Sequence, residues 1–112
     1  MLSNGIPAIK EMTVQKYDLK NDAFEDGWKV IRDKNELENF RKILNRAKHE
    51  KNVRYEMARH EDYKVTVTFT DNTQDVFMVW KNSGKYIHMI RQDSFKVSHE
   101  RDKMNLLKIL DS

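Results

Sequence analysis

In the run Tyr63-Lys64-Val65-Thr66-Val67-Thr68-Phe69-Thr70, every odd position is apolar or aromatic and every even one is Lys or Thr. A period of two turns one side of an extended chain into a core and the other into water, so residues 63–70 predict a half-buried strand. Residues 75–81 and 85–91 continue as strands, joined through Asp71-Asn72-Thr73 and Asn82-Ser83-Gly84, both short enough for hairpin turns. A brief extended segment, Phe95-Lys96-Val97, comes next. Upstream, residues 9–17 place Met12 and Val14 on one side and Thr13, Gln15 and Tyr17 on the other, a further strand. After a turn at Asp26-Gly27, Trp28-Lys29-Val30 begins a second short one.

Between the strands the period lengthens. Leu37, Phe40, Ile43, Leu44 and Ala47 recur at helical spacing, and Asp33 with Glu36 three residues on reads as a capping box. Lys48, His49 and Lys51 gather at the expected C-terminal end, where a helix dipole favours positive charge. A closing helix begins after Ser98, a good N-cap, and carries Met104, Leu107 and Leu110 as its apolar stripe. Residues 52–62 have no clean period and read as a loop. The expected class is α+β: a mostly antiparallel sheet of about five strands against two helices, in the order β-β-α-β-β-β-α. Residues 1–8, with Ser3-Asn4-Gly5 and the lone Pro7, form a flexible lead-in, and 9–112 a single domain.

Composition narrows the functions open to such a domain. The 112 residues contain no cysteine, so the fold stands without disulfides. No stretch approaches the ~18 apolar residues that cross a bilayer as a helix. Lys and Arg (21) nearly balance Asp and Glu (18), and a net charge of +3 is slight for a dedicated nucleic-acid binder. Attraction to a polyanion must therefore come from local clustering.

Reaction motifs are missing. His49, His60, His88 and His99 are scattered without metal-ligand spacing, and read as isolated histidines rather than ligands. Between Ile87 and Met89, His88 is expected to face solvent or a polar pocket. Ser83, Ser94 and Ser98 fall at turns or caps, and Gly5, Gly27 and Gly84 lie too far apart for a phosphate loop. Nothing marks out a carboxylate pair such as Glu56 and Glu61. The expectation is a non-catalytic protein with no cofactor and no metal.

The strongest binding signal is basic. Arg41, Lys42, Arg46, Lys48, Lys51 and Arg54 face a single acid, Glu50, over residues 41–54. With the helix packed through Leu37, Phe40, Leu44 and Ala47, most of these cations lie outward, where they track phosphates or anionic lipid, or simply solvate the helix. Tyr63, Phe69, Phe77, Trp80 and Tyr86 are reminiscent of stacking RNA-binding sheets, but the glycine-containing RNP pattern is missing. Nucleic acid is accordingly the alternative partner. Trp28, Trp80, Tyr86 and Phe95 either line a groove for a peptide or glycan or fill the core, and the pattern leaves both open.

One resemblance covers about nine tenths of the chain. The strand Met12-Thr13-Val14-Gln15-Lys16-Tyr17, the helix from Asp33 through Leu37, Phe40 and Ala47, and the Phe77-Met78-Val79-Trp80 strand with Ser83-Gly84 follow one another in a familiar order. Ser94-Phe95-Lys96-Val97-Ser98 then leads into Leu107-Lys108-Ile109-Leu110. The series resembles the small Bacillus-type lipoprotein domains of the YhfM-like group. That resemblance implies an extracytoplasmic domain tethered at the outer membrane face through a removed N-terminal segment with a lipid-accepting cysteine, and no assigned reaction or site residues. For such a domain the expected partner is an envelope protein, a peptide or an anionic surface, with its identity left open; the alternative is a small cytoplasmic protein that uses residues 41–54 to bind nucleic acid or an acidic partner.

Overall fold

A computed structural model describes residues 4–18, 20–24, 29–51 and 60–111. The Asp26-Gly27 turn, Trp28, and residues 52–59 of the expected loop, with Arg54 and Glu56, lie outside them. The α+β class holds, with more strands than the alternation announces. β1 (Ile9–Asp18), β2 (Ala23–Phe24) and β3 (Lys29–Ile31) precede α1 (Lys34–Arg46). β4 (Lys48–Glu50), β5 (Tyr63–Phe69), β6 (Gln74–Ser83), β7 (Tyr86–Ile90) and β8 (Ser94–Val97) follow, and α2 (Glu100–Asp111) closes the described chain. Among the described residues the strands form one sheet in the order β2-β1-β5-β6-β7-β8-β4, with β3 also on β1, and every pairing is antiparallel.

The alternating strand behaves as its pattern requires. Tyr63, Val65, Val67 and Phe69 are all buried, while Lys64, Thr66 and Thr68 turn to the other face. Register carries that row onto the neighbours: Met12 and Val14 stand opposite Val67 and Val65, and Phe77 and Val79 opposite Val65 and Tyr63. A register shift between Ile9 and Glu11 keeps Ile9 on the same face as Met12 despite their odd spacing. At the β6–β7 turn, Gly84 takes φ +81°, a left-handed conformation in which glycine escapes the steric cost of a Cβ.

α1 covers this row with Leu37, Phe40, Ile43 and Leu44. Its start is the expected one: the Asp33 side chain accepts from the N–H groups of Asn35 (2.9 Å) and Glu36 (3.0 Å). Its end differs. The helix stops at Arg46, Ala47 is extended at ψ 155°, and Lys48–Glu50 form an edge strand instead of a basic helix terminus. The cause is a competing ladder, in which Lys48, His49 and Glu50 pair with Lys96, Phe95 and Ser94. Carbonyls at this end are met from the N-terminal segment: Asn4 Nδ2 donates to Leu44 O in the last helical turn and to Ala47 O just beyond it, each at 2.7 Å. From Asn4 onward the lead-in is docked rather than loose, and Ile6 is buried in the core.

α2 also departs from its expected stripe. Its inward residues are Asp102, Leu106, Ile109 and Leu110, while Met104 is 69% exposed and Leu107 only partly buried. Spacings of four, three and one make a standard buried face. Its first position is a carboxylate, which hides the face from a count of apolar residues. Asp102 is accommodated because Arg46 of α1 reaches it, Nη2 to Oδ1 at 2.6 Å and Nε to Oδ2 at 3.2 Å. Ser98 is not the helix start: the first α2 hydrogen bond runs from Lys103 N to His99 O.

The two candidate stripes make opposite predictions. Leu106→Ala removes a fully buried side chain and lowers unfolding free energy by about 2–5 kcal/mol, whereas Met104→Ala stays within about 0.5 kcal/mol, as read from urea midpoints at constant slope.

Candidate functional site

The polar constellation with most chemistry lies at the end of the sheet where β7 turns into β8 and β4 pairs along the edge. Register builds it. Met89 stands opposite Phe95, and Phe95 opposite His49, all on the face the helices cover. Continuing β6–β7 pairing one step past Met78↔Ile90 brings Arg91 opposite Phe77. A cation thus arrives where the core pattern asks for an apolar side chain. Its guanidinium carbon sits 5.4 Å from the Phe77 ring centre and 5.1 Å from that of Phe95.

Carboxylates hold it there. Arg91 Nε and Nη2 donate to the two Asp93 oxygens (2.6 and 3.1 Å), and Nη1 donates to Asp75 Oδ2 at 2.9 Å. On its other side Asp93 meets His49 Nε2, whose ring is stacked on Phe95 at 4.4 Å and 6°. Burial pushes the Asp93 carboxyl up, but hydrogen bonds from Arg91 and His49 outweigh it and hold Asp93 below the usual carboxylate range. Burial likewise works against the Arg91 charge, and Asp93 and Asp75 reverse the balance. Beside this network opens a cavity of about 280 Å³ lined by His49, Lys51, Arg91, Gln92 and Asp93.

Chemically the site is half of a familiar arrangement. A carboxylate orienting an imidazole prepares a general base, yet both oxygens of Asp93 are also held by Arg91, and no hydroxyl or thiol is among the cavity-lining residues. Among the described residues no group of three His, Cys, Asp or Glu side chains is placed to hold a metal ion.

The cations singled out in the sequence are dispersed. Arg41 is fastened to Glu38 (Nη2 to Oε1 2.6 Å) and to Ile6 O (3.2 Å), and Arg46 to Asp102. Lys42 is exposed on α1 and Lys48 on β4; Lys51 is exposed and lines the cavity; Arg54 lies outside the described residues. Of the aromatic quartet, Trp80 and Phe95 are both buried and face opposite sides of the sheet, so they do not share an exposed groove. Sequence reasoning missed Arg91 and Asp93. The available signal was an Arg-x-Asp placed between two strands, where the first residue continues the core-facing alternation of Ile87 and Met89.

The opposite face of the same strands holds His88, buried with its Nε2 3.3 Å from Ser94 Oγ and between the rings of Trp80 and Tyr86. It sits in a polar pocket rather than in water. A serine–histidine pair invites a hydrolytic reading, but Ser94 has no exposed surface for a substrate to reach.

The fold and site together define a single-sheet α+β protein with both helices on one face and a charged network ending its core. The family model described as YhfM protein matches residues 7–112, and the chain belongs to the YhfM family. No curated protein matches it. Among solved structures, a thioesterase-like protein from Clostridium sporogenes ATCC 15579 is similar, with TM-score 0.62, 16% identity and 97% of each chain covered. At that identity the likeness is one of fold.

His88 gives the pH dependence expected here. Burial, then the Lys96 charge, pulls its imidazole below the ordinary 6.5, with Glu50 acting in the other direction. The unfolded chain takes up this proton near 6.5 and the folded chain only below it, so the contribution is intact above 6.5 and lost as pH falls beneath it. Urea midpoints should drop between about pH 7.5 and 5.5, and His88→Gln should flatten that slope.

Proposed function

We propose that the chain is a non-catalytic binding domain that receives an anionic group of a peptide or envelope partner at the cavity beside Lys51, and that it works outside the membrane as the soluble part of a lipoprotein. The observation that carries the binding reading is the contrast between Lys51 and its neighbours. Arg91 and Asp93 neutralise one another across the cavity wall, whereas Lys51 is exposed and has no ion-pair partner among the described residues. An arriving carboxylate or phosphate therefore gains a charge without breaking an internal pair, against a wall already fixed by stacking. A surface over residues 41–54 for nucleic acid has less support, since Arg41 and Arg46 would have to leave Glu38 and Asp102. The extracytoplasmic placement rests on the resemblance to small lipoprotein domains, and a leader with a lipid-accepting cysteine upstream of Met1 in the genome is its check.

Binding is read by titrating the ¹⁵N-labelled chain with inorganic phosphate and with acetate. Saturable amide shifts at His49, Lys51 and Gln92, weakened about threefold to fivefold by Lys51→Ala and further by salt, are the expected result. Shifts spread evenly over surface lysines would remove the site.

The fold neighbour favours a second reading, hydrolysis of an acyl thioester by water that His49 deprotonates while Asp93 orients the ring. Thiol release from short- and long-chain acyl thioesters decides it. On the binding reading the rate stays at background and is unchanged by His49→Ala; a rate lost with His49 establishes the enzyme.

A further inference from the structure

The residue that fastens the N-terminal segment to α1 is also the chemically most fragile one. Asn4 is the one asparagine in the sequence that is followed by glycine. In such a pair the glycine nitrogen reaches the asparagine side-chain carbonyl carbon easily, because no Cβ stands in the way. The fold gives the same side chain a structural task. Its Nδ2 donates to Leu44 O and Ala47 O, each at 2.7 Å, and the Asn4 backbone N–H donates to Asn45 O at 3.3 Å. In return Asn45 Oδ1 accepts from Ile6 N at 2.7 Å, and Ile6 is buried in the core.

We infer that Asn4 is a site of spontaneous deamidation, and that its conversion to a carboxylate unfastens residues 4–8 from α1. The Gly5 nitrogen loses its proton and bonds to Asn4 Cγ; the Cγ–Nδ2 bond breaks, and the amide nitrogen takes up a proton and leaves as ammonia. Water then opens the succinimide at either carbonyl, to aspartate or to isoaspartate.

Either product breaks the latch. A carboxylate has no hydrogen to donate, so Leu44 O and Ala47 O lose their donor and face a negative charge at a helix end whose dipole disfavours it. Isoaspartate also lengthens the backbone by a methylene, which carries Ile6 N away from Asn45 Oδ1. The latch in turn governs the reaction. While Nδ2 is held by two carbonyls some 40 residues away, the side chain is not free to turn toward Gly5. Reaction therefore follows the small population whose N-terminal segment has opened, and makes a reversible opening permanent.

The test keeps the full chain in mildly alkaline buffer, native and in denaturing urea, and follows the amide-to-acid mass change at Asn4 by peptide mapping. Native conversion about tenfold to a hundredfold slower than in urea is expected, as for opening of a locally docked segment. The deamidated chain, separated by its added negative charge, should exchange the Ile6 amide hydrogen at least about tenfold faster, while the amides of β5 keep their protection. Asn4→Asp, which installs the carboxylate without the isoaspartate backbone, should show the same loss at Ile6. A native-to-urea ratio outside that range overturns the proposal, as does an Ile6 amide that stays protected in the deamidated chain or in Asn4→Asp.

Discussion

Val79, Met89, Phe95 and His49 stand opposite one another on four consecutive strands, and one step along the sheet the same register aligns Phe77, Arg91 and Asp93. The first row is core packing that ends in an imidazole at the edge. The second begins as core packing and ends in charge. Once hairpin turns fix the register, a guanidinium must lie against two phenyl rings, and its solvation must be replaced from nearby. Asp93 and Asp75 supply that replacement, and Asp93 in turn fixes the ring of His49. Removing either partner would leave the other charge partly buried, so the network acts as a unit. The aromatic contacts extend inward from it: Phe95 meets Phe77 edge-on at 5.8 Å, and Phe77 meets Phe40 of α1 at 6.4 Å. A charge cluster at the sheet end is thereby coupled to the packing of the first helix.

What could be read from the sequence was whatever a local period encodes. The 63–69 alternation and the Asp33 cap need only their neighbours, and both are found where expected. The features that could not be read depend on partners distant in the chain. Lys48–Glu50 look like the cationic end of a helix until β8 is placed beside them, more than 40 residues downstream, in the ladder with Lys96, Phe95 and Ser94. Asn4 reads as loop chemistry, but it closes the end of a helix some 40 residues away. Asp102 shows the same blindness in reverse: a buried helix face was misread because its first member is charged and its compensating arginine lies on another helix.

The basic cluster illustrates why charge counting along the chain is a poor guide to a binding surface. Six cations within residues 41–54 look like one patch. Folding divides them by what each can reach. Arg41 and Arg46, with long forked side chains, tie α1 to Glu38 and Ile6 and to α2. The lysines keep their solvent, and Lys51 is carried to a concave surface. The cation that gives this surface its shape, Arg91, comes from a different part of the chain altogether.

The likeness to a thioesterase-like protein concerns architecture, and architecture alone does not carry chemistry. What decides between binding and turnover is how Asp93 divides its two oxygens. An imidazole that is to take a proton from water gains most when its carboxylate partner is dedicated to it, because the developing imidazolium is then stabilised by a full negative charge. Here that charge is shared with a guanidinium that grips both oxygens and is itself clamped by Phe77, Phe95 and Asp75. The arrangement rigidifies a wall more effectively than it empowers a base. On the proposed reading, this rigid wall beside an exposed Lys51 suits the recognition of an anion.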